Sequence, residues 1–181
     1  MRIVGGELSG RRFSPPKNFR ARPTTDTARE SLFNILANHY DFEELSVLDL
    51  FGGTGAISLE FASRGVPQVT CVEKNYHHYS FIKKCIVELD LTSVIQPVKA
   101  DVFTFLSKGG MSPVRLIFAD PPFDLPHFDK VLPAVLESGL MAPEGLFILE
   151  HGPQNDYSTH PAFQQLRKYG KVHFSFFGNQ K

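Results

Sequence analysis

A short acidic and proline-rich segment, residues 120–123, directly follows an apolar run and has the composition of a site that binds a planar amine. Exocyclic amines of nucleobases are poor nucleophiles because the nitrogen lone pair is delocalised into the ring. The Asp120 carboxylate and the Pro121 carbonyl could accept both N–H bonds, which would orient that lone pair for methylation. The prolines stiffen the turn, and the Phe123 ring offers a stacking face. The candidate catalytic residues are Asp120, Pro121, Pro122 and Phe123; a Pro-Pro turn that merely ends a strand is the alternative.

A glycine-rich loop, residues 52–55, follows another apolar run and is typical of a cofactor-binding turn between a strand and a helix. Glycine lets the backbone approach a ligand closely, and the amide groups that open the next helix attract an anionic group. Glu73 ends the next apolar run, where its carboxylate could bind the two hydroxyls of a ribose. Any tight turn could use glycine, but this pairing with an acid favours a cofactor that contains adenosine.

The type of cofactor follows from the charge in front of the loop. A dinucleotide fingerprint that starts at Gly53 would need a third glycine where this chain has Ser58. Asp49 precedes the glycines, where its carboxylate would repel a pyrophosphate and attract a cation. S-adenosylmethionine carries an ammonium and a sulfonium group, so its charges suit this position better than those of NAD.

Asp101 follows the third predicted strand and has two compatible interpretations. Its carboxylate could accept a hydrogen bond from an adenine amino group, with the Val102 amide reaching a ring nitrogen, or it could cap a short helix over 102–106. The predicted cofactor-binding residues are Asp49, Phe51, Gly53, Thr54, Gly55, Glu73, Lys74, Asp101 and Val102.

Alternating apolar runs and amphipathic segments must position these residues. The pattern predicts an α/β fold with a parallel, doubly wound sheet and a closing antiparallel hairpin. A capping box at Thr27 and several neighbouring caps mark the start of the first helix. Strands are predicted over 2–4, 11–13, 47–51, 69–73, 94–98, 115–119, 146–150, 163–169 and 171–177, and helices over 26–38, 56–64, 76–89 and 128–137.

The chain has a formal net charge of zero, but the charge is unevenly distributed. Residues 1–25 contain six basic residues against Glu7 alone, so this segment carries +5 and the remaining 156 residues carry −5. A basic arm beside a site that suits a nucleobase favours contact with nucleic acid phosphates. The predicted RNA-binding residues are Arg2, Arg11, Arg12, Arg20 and Arg22.

The length of 181 residues and ordinary apolar and charged fractions predict one globular domain. Cys71 and Cys85 fall in an apolar strand and a helix, so we expect buried free thiols in a reducing compartment. The start of the chain lacks a signal-peptide pattern, and there is no spacing of Cys and His typical of a zinc site. We expect a cytoplasmic protein that needs no metal and is a monomer.

With these motifs assembled, the chain resembles the class I S-adenosylmethionine-dependent methyltransferases and, more narrowly, the RsmD family of ribosomal RNA guanine-N2 methyltransferases. The N-terminal signature is the specific part, since the other motifs occur in amino-methylating enzymes generally. The resemblance is carried by residues 2–6, 10–11, 22–26, 29–30, 32–34, 48–51, 53–55, 63–65, 72–73 and 120–123.

This resemblance implies a Rossmann-like, seven-stranded sheet whose last strand is antiparallel, with a basic extension over 1–40 and a core over 45–181. It also implies S-adenosylmethionine as cofactor and a guanine of 16S rRNA, in the small ribosomal subunit, as target. Gly52 departs from the family pattern, where Ala or Cys is common, and we expect it to loosen the loop. The alternatives are a DNA adenine-N6 methyltransferase, which uses the same tetrapeptide but normally needs a further recognition domain, and a non-catalytic RNA-binding assembly factor.

Overall fold

A computed structural model describes residues 1–16, 19 and 25–178 of the chain. Seven strands form one sheet in the order β3-β2-β1-β4-β5-β7-β6. The first five strands are mutually parallel, and β7 runs antiparallel to both β5 and β6. The strands are β1 (Ser46–Leu50), β2 (Gln68–Glu73), β3 (Ile95–Lys99), β4 (Val114–Ala119), β5 (Met141–His151), β6 (Phe163–Tyr169) and β7 (Val172–Gly178). The predicted Rossmann-like fold, including its antiparallel last strand, is confirmed.

Helices cover both faces of the sheet, as a buried parallel sheet requires. One apolar cluster joins the sheet to the first three helices, and a second joins it to the last two. The helices are α1 (Asp26–Ala37), α2 (Ala56–Ser63), α3 (Tyr76–Glu88), α4 (Val102–Lys108) and α5 (Val131–Glu137). Among the described residues no helix has the length and apolar character needed to span a membrane.

Successive residues of β1 face opposite layers, which determines where Asp49 lies. Val47 belongs to the cluster under α1–α3, whereas Leu48 and Leu50 belong to the cluster under α4 and α5. Side chains alternate along a strand, so Asp49 shares the face of Val47 and lies toward α2. The period of the strand therefore places one carboxylate inside an apolar layer.

Several predicted boundaries differ from the structure for identifiable reasons. The cap of α1 is Thr25, whose hydroxyl accepts from the Ala28 amide, so the predicted capping box at Thr27 is wrong and that residue lies inside the helix. The predicted helix 128–137 begins with a 3-10 turn (Phe128–Lys130) before α5. Strand β5 starts five residues earlier than predicted, because its register against β4 shifts between Val114 and Leu116.

The two strands predicted within residues 1–13 reduce to a hairpin with one isolated bridge, Arg2 to Arg12. Further main-chain hydrogen bonds close it, from the Ile3 amide to the Arg11 carbonyl and from the Gly10 amide to the Ile3 carbonyl. The amides of Val4 and Gly5 bind a side chain of α2 and cannot extend a strand ladder. We call residues 1–13 the N-terminal hairpin.

Candidate active site

The two motif-bearing segments meet at the carboxyl ends of β1 and β4, where the strand order reverses. The chain runs from β1 outward to β2 and β3 on one side, and β4 lies on the other side. The Asp120 amide donates to the Leu50 carbonyl over 3.4 Å, so residues 120–123 begin beside the loop that follows β1. In open α/β sheets this reversal opens the crevice in which ligands bind.

The loop after β1 adopts a conformation that needs glycine at two positions. Gly53 has φ 56° and Gly55 has φ 77°, and Phe51, which is not a glycine, is also left-handed with φ 62°. The Gly53 amide donates to Glu73 Oε2 over 2.7 Å, and Thr54 is buried beneath the turn. The predicted glycine loop is thus held directly against the predicted ribose-binding acid.

Glu73 keeps acceptor capacity for a ligand. Its Oε2 accepts from Gly53 and its Oε1 accepts from the Asn75 amide over 2.6 Å. Each carboxylate oxygen can accept two hydrogen bonds, so each has room for a hydroxyl donor, and the His78 ring lies nearby with its Nδ1 3.9 Å from Oε2. The main-chain bonds fix the carboxylate in place, and the arrangement fits the adjacent hydroxyls of a ribose.

Asp49 is a buried carboxylate that lies under the first turn of α2. It is 2% exposed, and its Oδ2 accepts from Ser58 Oγ over 2.5 Å. Burial raises the pKa of Asp49 to about 7, the Ser58 hydrogen bond opposes this increase, and the nearby Glu73 carboxylate adds to it. Within the described ranges no Lys, Arg or His forms an ion pair with Asp49. A cationic ligand such as the ammonium of S-adenosylmethionine would offset the cost of that burial.

Asp101 caps α4, as one of its two interpretations predicted. Its Oδ1 accepts from the Thr104 amide and its Oδ2 pairs with Lys74 Nζ at 3.1 Å. Partial burial by itself would raise the pKa of Asp101, but the hydrogen bond from Lys74 and the backbone amides lower it. Lys74 and Asp101 thus lie together at the ends of β2 and β3, with Val102 buried beside them. Contact with adenine is still a prediction.

Residues 120–123 pass from the buried sheet to the surface. Asp120 is half-buried, Pro121 is buried, and Pro122 is exposed. The Leu125 amide donates to the Pro122 carbonyl over 2.9 Å, which closes a turn with Phe123 at its tip. Phe123 is 44% exposed, one of three large apolar side chains with high exposure in the described chain. An exposed ring that follows a fixed acid is suited to stacking a flat substrate.

The predicted RNA-binding arginines are only partly described. Arg2, Arg11 and Arg12 are exposed on the N-terminal hairpin, and Arg2 Nε lies 3.3 Å from Asp26 Oδ2. Arg20 and Arg22 lie outside the described residues. Nothing in the geometry tests binding to RNA, so these assignments stay predictions.

His151 and His127 lie near the ends of strands in different environments. His151 is fully buried, and its Nε2 lies 2.7 Å from Ser175 Oγ. Burial lowers the pKa of His151, with the Gly152 carbonyl opposing, so the ring is neutral near pH 7. His127 is exposed in a left-handed turn.

Sequence reasoning missed the side chains that hold these elements together. Ser58 was noted only as the residue that breaks the dinucleotide fingerprint, yet its hydroxyl binds Asp49. Glu60, the one charged residue of α2, is fully buried and pairs with Arg29 and Arg64. The only available signal was that a charge on the apolar face of a helix needs a partner.

Gly52 makes room for a neighbouring side chain and does not merely loosen the loop. A Cβ at Gly52 would lie 2.5 Å from Cys71 Sγ and 3.3 Å from Ile82 Cδ1. Cys71 and Cys85 are buried free thiols, as expected, and Cys71 occupies the volume that a methyl group at position 52 would need. The absence of a side chain at Gly52 thus leaves the space that the thiol of Cys71 fills.

Gly52→Ala should therefore lower the free energy of unfolding by about 1–3 kcal/mol through overpacking. Adding Cys71→Ala should restore most of that stability, because it removes the clashing sulfur. A double-mutant cycle by urea unfolding measures the coupling. Additive effects of the two substitutions would contradict the shared packing.

Comparison with known proteins gives a consistent result. The family described as "Conserved hypothetical protein 95" matches residues 1–178. Ribosomal RNA small subunit methyltransferase D of Escherichia coli strain K12 is 32% identical over 168 residues, which cover 93% of this chain and 83% of that protein. The solved structure of yhhF from Escherichia coli has a TM-score of 0.85 and 30% identity, covering 99% of this chain and 98% of its own.

A solved structure of much lower sequence identity also has a fold similar to that of this chain. The SAH-bound methyltransferase of Podospora anserina has a TM-score of 0.69 at 9% identity and covers 87% of this chain and 80% of its own. At that identity the likeness concerns the fold alone.

Proposed function

This chain belongs to the RsmD family, matched as Conserved hypothetical protein 95, and from that membership we propose that it methylates the exocyclic N2 amine of a guanine in 16S rRNA. The methyl donor in this proposal is S-adenosylmethionine. The observation that carries it is the hydrogen bond between the Asp120 amide and the Leu50 carbonyl, which sets the amine-binding segment beside the cofactor loop. The names of the relatives give the rRNA substrate, and the choice of guanine N2 is our own extension.

Three acceptors of this chain would hold the cofactor. Asp49 would bind the ammonium group, Glu73 the ribose hydroxyls and Asp101 the adenine amine, while the loop formed by Phe51, Gly53, Thr54 and Gly55 would enclose the remainder. S-adenosylmethionine supplies an electrophilic methyl group on a positively charged sulfur. Because that group is already activated, the protein contributes mainly position and desolvation.

Asp120 and Pro121 would orient the guanine amine. The carboxylate and the main-chain carbonyl accept the N–H bonds, and Asp120 or water takes a proton once the nitrogen has become cationic. A base stacked in RNA cannot reach this position, so the target guanine must be unpaired or flipped and stacked on Phe123. No nucleophilic side chain is required.

The N-terminal hairpin would supply contacts to RNA phosphates. Arg2, Arg11 and Arg12 are exposed there, and such contacts add affinity more than sequence choice. The hairpin residue Ile3 and Leu32 of α1 share an apolar cluster with the sheet residue Leu116, so we propose that the chain acts as one domain. We propose a monomer as the acting unit.

The test is transfer of labelled methyl from S-adenosylmethionine to small ribosomal subunits isolated without their native methylations. We expect N2-methylguanosine in nucleosides from the product RNA, at a single position. Large subunits serve as the matched negative substrate. N6-methyladenine formed on duplex DNA instead would replace this proposal by the DNA alternative, and cofactor binding without transfer to any nucleic acid would favour an assembly factor.

A further inference from the structure

The N-terminal hairpin is attached to α2 by its main chain. The amides of Val4 and Gly5 donate to Glu60 Oε2 and Oε1 over 2.8 and 2.7 Å. The Leu8 amide donates to Ser63 Oγ over 2.9 Å, and that hydroxyl donates to the Gly5 carbonyl over 2.6 Å. Two side chains of one helix therefore fix the path of the hairpin.

The charge of Glu60 is balanced inside this attachment. Glu60 is fully buried, and Arg64 Nη2 lies 3.0 Å and Arg29 Nε 3.7 Å from its carboxylate. Arg29 also donates to the main-chain carbonyl of Arg2 and to Asp26. The buried charges thus hold main-chain atoms at one end of the hairpin, through Arg29 Nη2 and the Glu60 carboxylate, while Arg29 Nε is near Glu60 but makes no hydrogen bond within the described chain.

The same helix holds the cofactor loop. Ser58, in the first turn of α2, binds Asp49, and the Leu59 amide donates to the Gly55 carbonyl. Glu60 and Ser63 follow within the next turn. One eight-residue helix is therefore bonded to the candidate cofactor site at its start and to the basic hairpin along the rest of its length.

From this arrangement we propose that Glu60 and Ser63 are positioning residues for rRNA. They fix the hairpin that carries Arg2, Arg11 and Arg12, and so hold these arginines where they can contact RNA phosphates. The inference rests on the proposed function for the identity of the polyanion. It assigns to α2 a role in substrate binding that is separate from its role in cofactor binding.

Two glycines of the hairpin provide a matched pair for the test. Gly6 has φ +76°, and a Cβ there would overlap the Ser63 carbonyl oxygen and lie 2.7 Å from the Arg64 amide nitrogen. Gly10 has φ +84°, and a Cβ there meets nothing within 4 Å. Alanine at either position carries similar backbone strain, but only Gly6→Ala pushes the hairpin away from α2.

We expect Gly6→Ala to raise the KM for small ribosomal subunits about ten-fold. The slope of the logarithm of the RNA-binding constant against the logarithm of salt concentration should become less steep, by about one unit for each arginine that no longer reaches a phosphate. The kcat at saturating RNA and the Kd for S-adenosylmethionine should stay within about two-fold of wild type. Phosphate contacts that are equally strong in the bound substrate and in the transition state affect KM and not kcat. Gly10→Ala should match wild type in all four quantities. Ser63→Ala, which adds no atom, should raise KM in the same direction by a smaller factor and serves if Gly6→Ala does not fold.

If KM and the salt slope are unchanged in Gly6→Ala, the positioning role is overturned. If Gly6→Ala does not fold, the same result in Ser63→Ala overturns it. Equal losses in Gly6→Ala and Gly10→Ala would overturn it as well, because strain within the hairpin would then explain the effect. RNA binding is also titrated directly, without methyl transfer. If wild type binds RNA but transfers no methyl group, the proposed function fails, while the binding titration still decides whether α2 positions the hairpin.

Discussion

Replacing Asp120 by alanine should lower the kcat for methyl transfer to small ribosomal subunits by about 100-fold or more. The carboxylate that follows β4 is half-buried beside the cofactor loop, and alanine offers no acceptor for the amine hydrogens. Phe123 and the basic hairpin are untouched, so the KM for RNA should change little. The Kd for S-adenosylmethionine, measured by calorimetry, should stay within about two-fold of wild type.

Asp124→Ala is the matched control for this substitution. It removes the same charge four residues away, where the side chain is exposed, and should leave kcat unchanged. Asp120→Asn keeps one acceptor oxygen without the charge, so its kcat should lie between those of wild type and Asp120→Ala. Full activity of Asp120→Ala would remove the acid from the mechanism, and a loss of cofactor binding would show that it acts by holding the loop after β1.

The sheet and the edge that carries the site were predictable because their signals are local. Each apolar run ends at a turn residue, and parallel strands place their carboxyl ends at one edge. That rule brought Asp49, Glu73, Asp101 and Asp120 to the same edge without knowledge of any contact. The early start of β5 was not predictable, because a shift in register between two strands has no local sequence signal.

The attachment of the N-terminal hairpin could not be predicted, because it joins residues that are far apart in the chain. The Val4 amide and the Glu60 carboxylate are 56 positions apart, and the bond uses a main-chain atom that does not depend on the residue type. The sequence shows Arg29 and Glu60 as charged residues of two different helices, but not that they are buried and lie side by side. Buried polar pairs of this kind are visible only in the folded structure.

The protonation of Asp49 was hidden from sequence reasoning for the same reason. The motif showed an acid before the glycines, but the rise in its pKa depends on burial under α2 and on the proximity of Glu73. A carboxylate that ionises only near neutral pH is costly for the folded protein unless a cation is bound. Stability and cofactor binding should therefore respond in opposite directions to its replacement.

Asp49→Asn should weaken binding of S-adenosylmethionine by about 10- to 100-fold, the range expected for a lost hydrogen bond to a charged group. In wild type, binding a cation favours the ionised carboxyl, so affinity should rise with pH up to about 7, until the ligand's own ammonium begins to lose its proton near about pH 8. The variant should not show that rise, because its residue 49 cannot ionise, and should keep only the loss of affinity caused by deprotonation of the ligand near about pH 8. Calorimetric titrations with S-adenosylmethionine between about pH 6 and about pH 8 measure both effects.

The same substitution should stabilise the protein without ligand. Burial raises the pKa of Asp49 to about 7, whereas a carboxyl in the unfolded chain ionises near about pH 4, so between these values the folded state holds a proton that the unfolded state has released. The free energy of unfolding of wild type therefore falls as pH rises through this window. Asp49→Asn should be more stable than wild type by about 1–3 kcal/mol at about pH 8, with the difference smallest near about pH 4.

Opposite changes in stability and affinity would identify Asp49 as a group whose buried charge is kept for the ligand. A purely structural Asp49 would behave differently, since replacing its charged acceptor by a neutral one would weaken the bond from Ser58, destabilise the protein and leave affinity unchanged. Ser58→Ala separates the two contributions, because it removes the hydrogen bond while the carboxylate stays. That variant should raise the pKa of Asp49 further and shift the rise in cofactor affinity to higher pH, whereas an unshifted rise would mean that another group titrates.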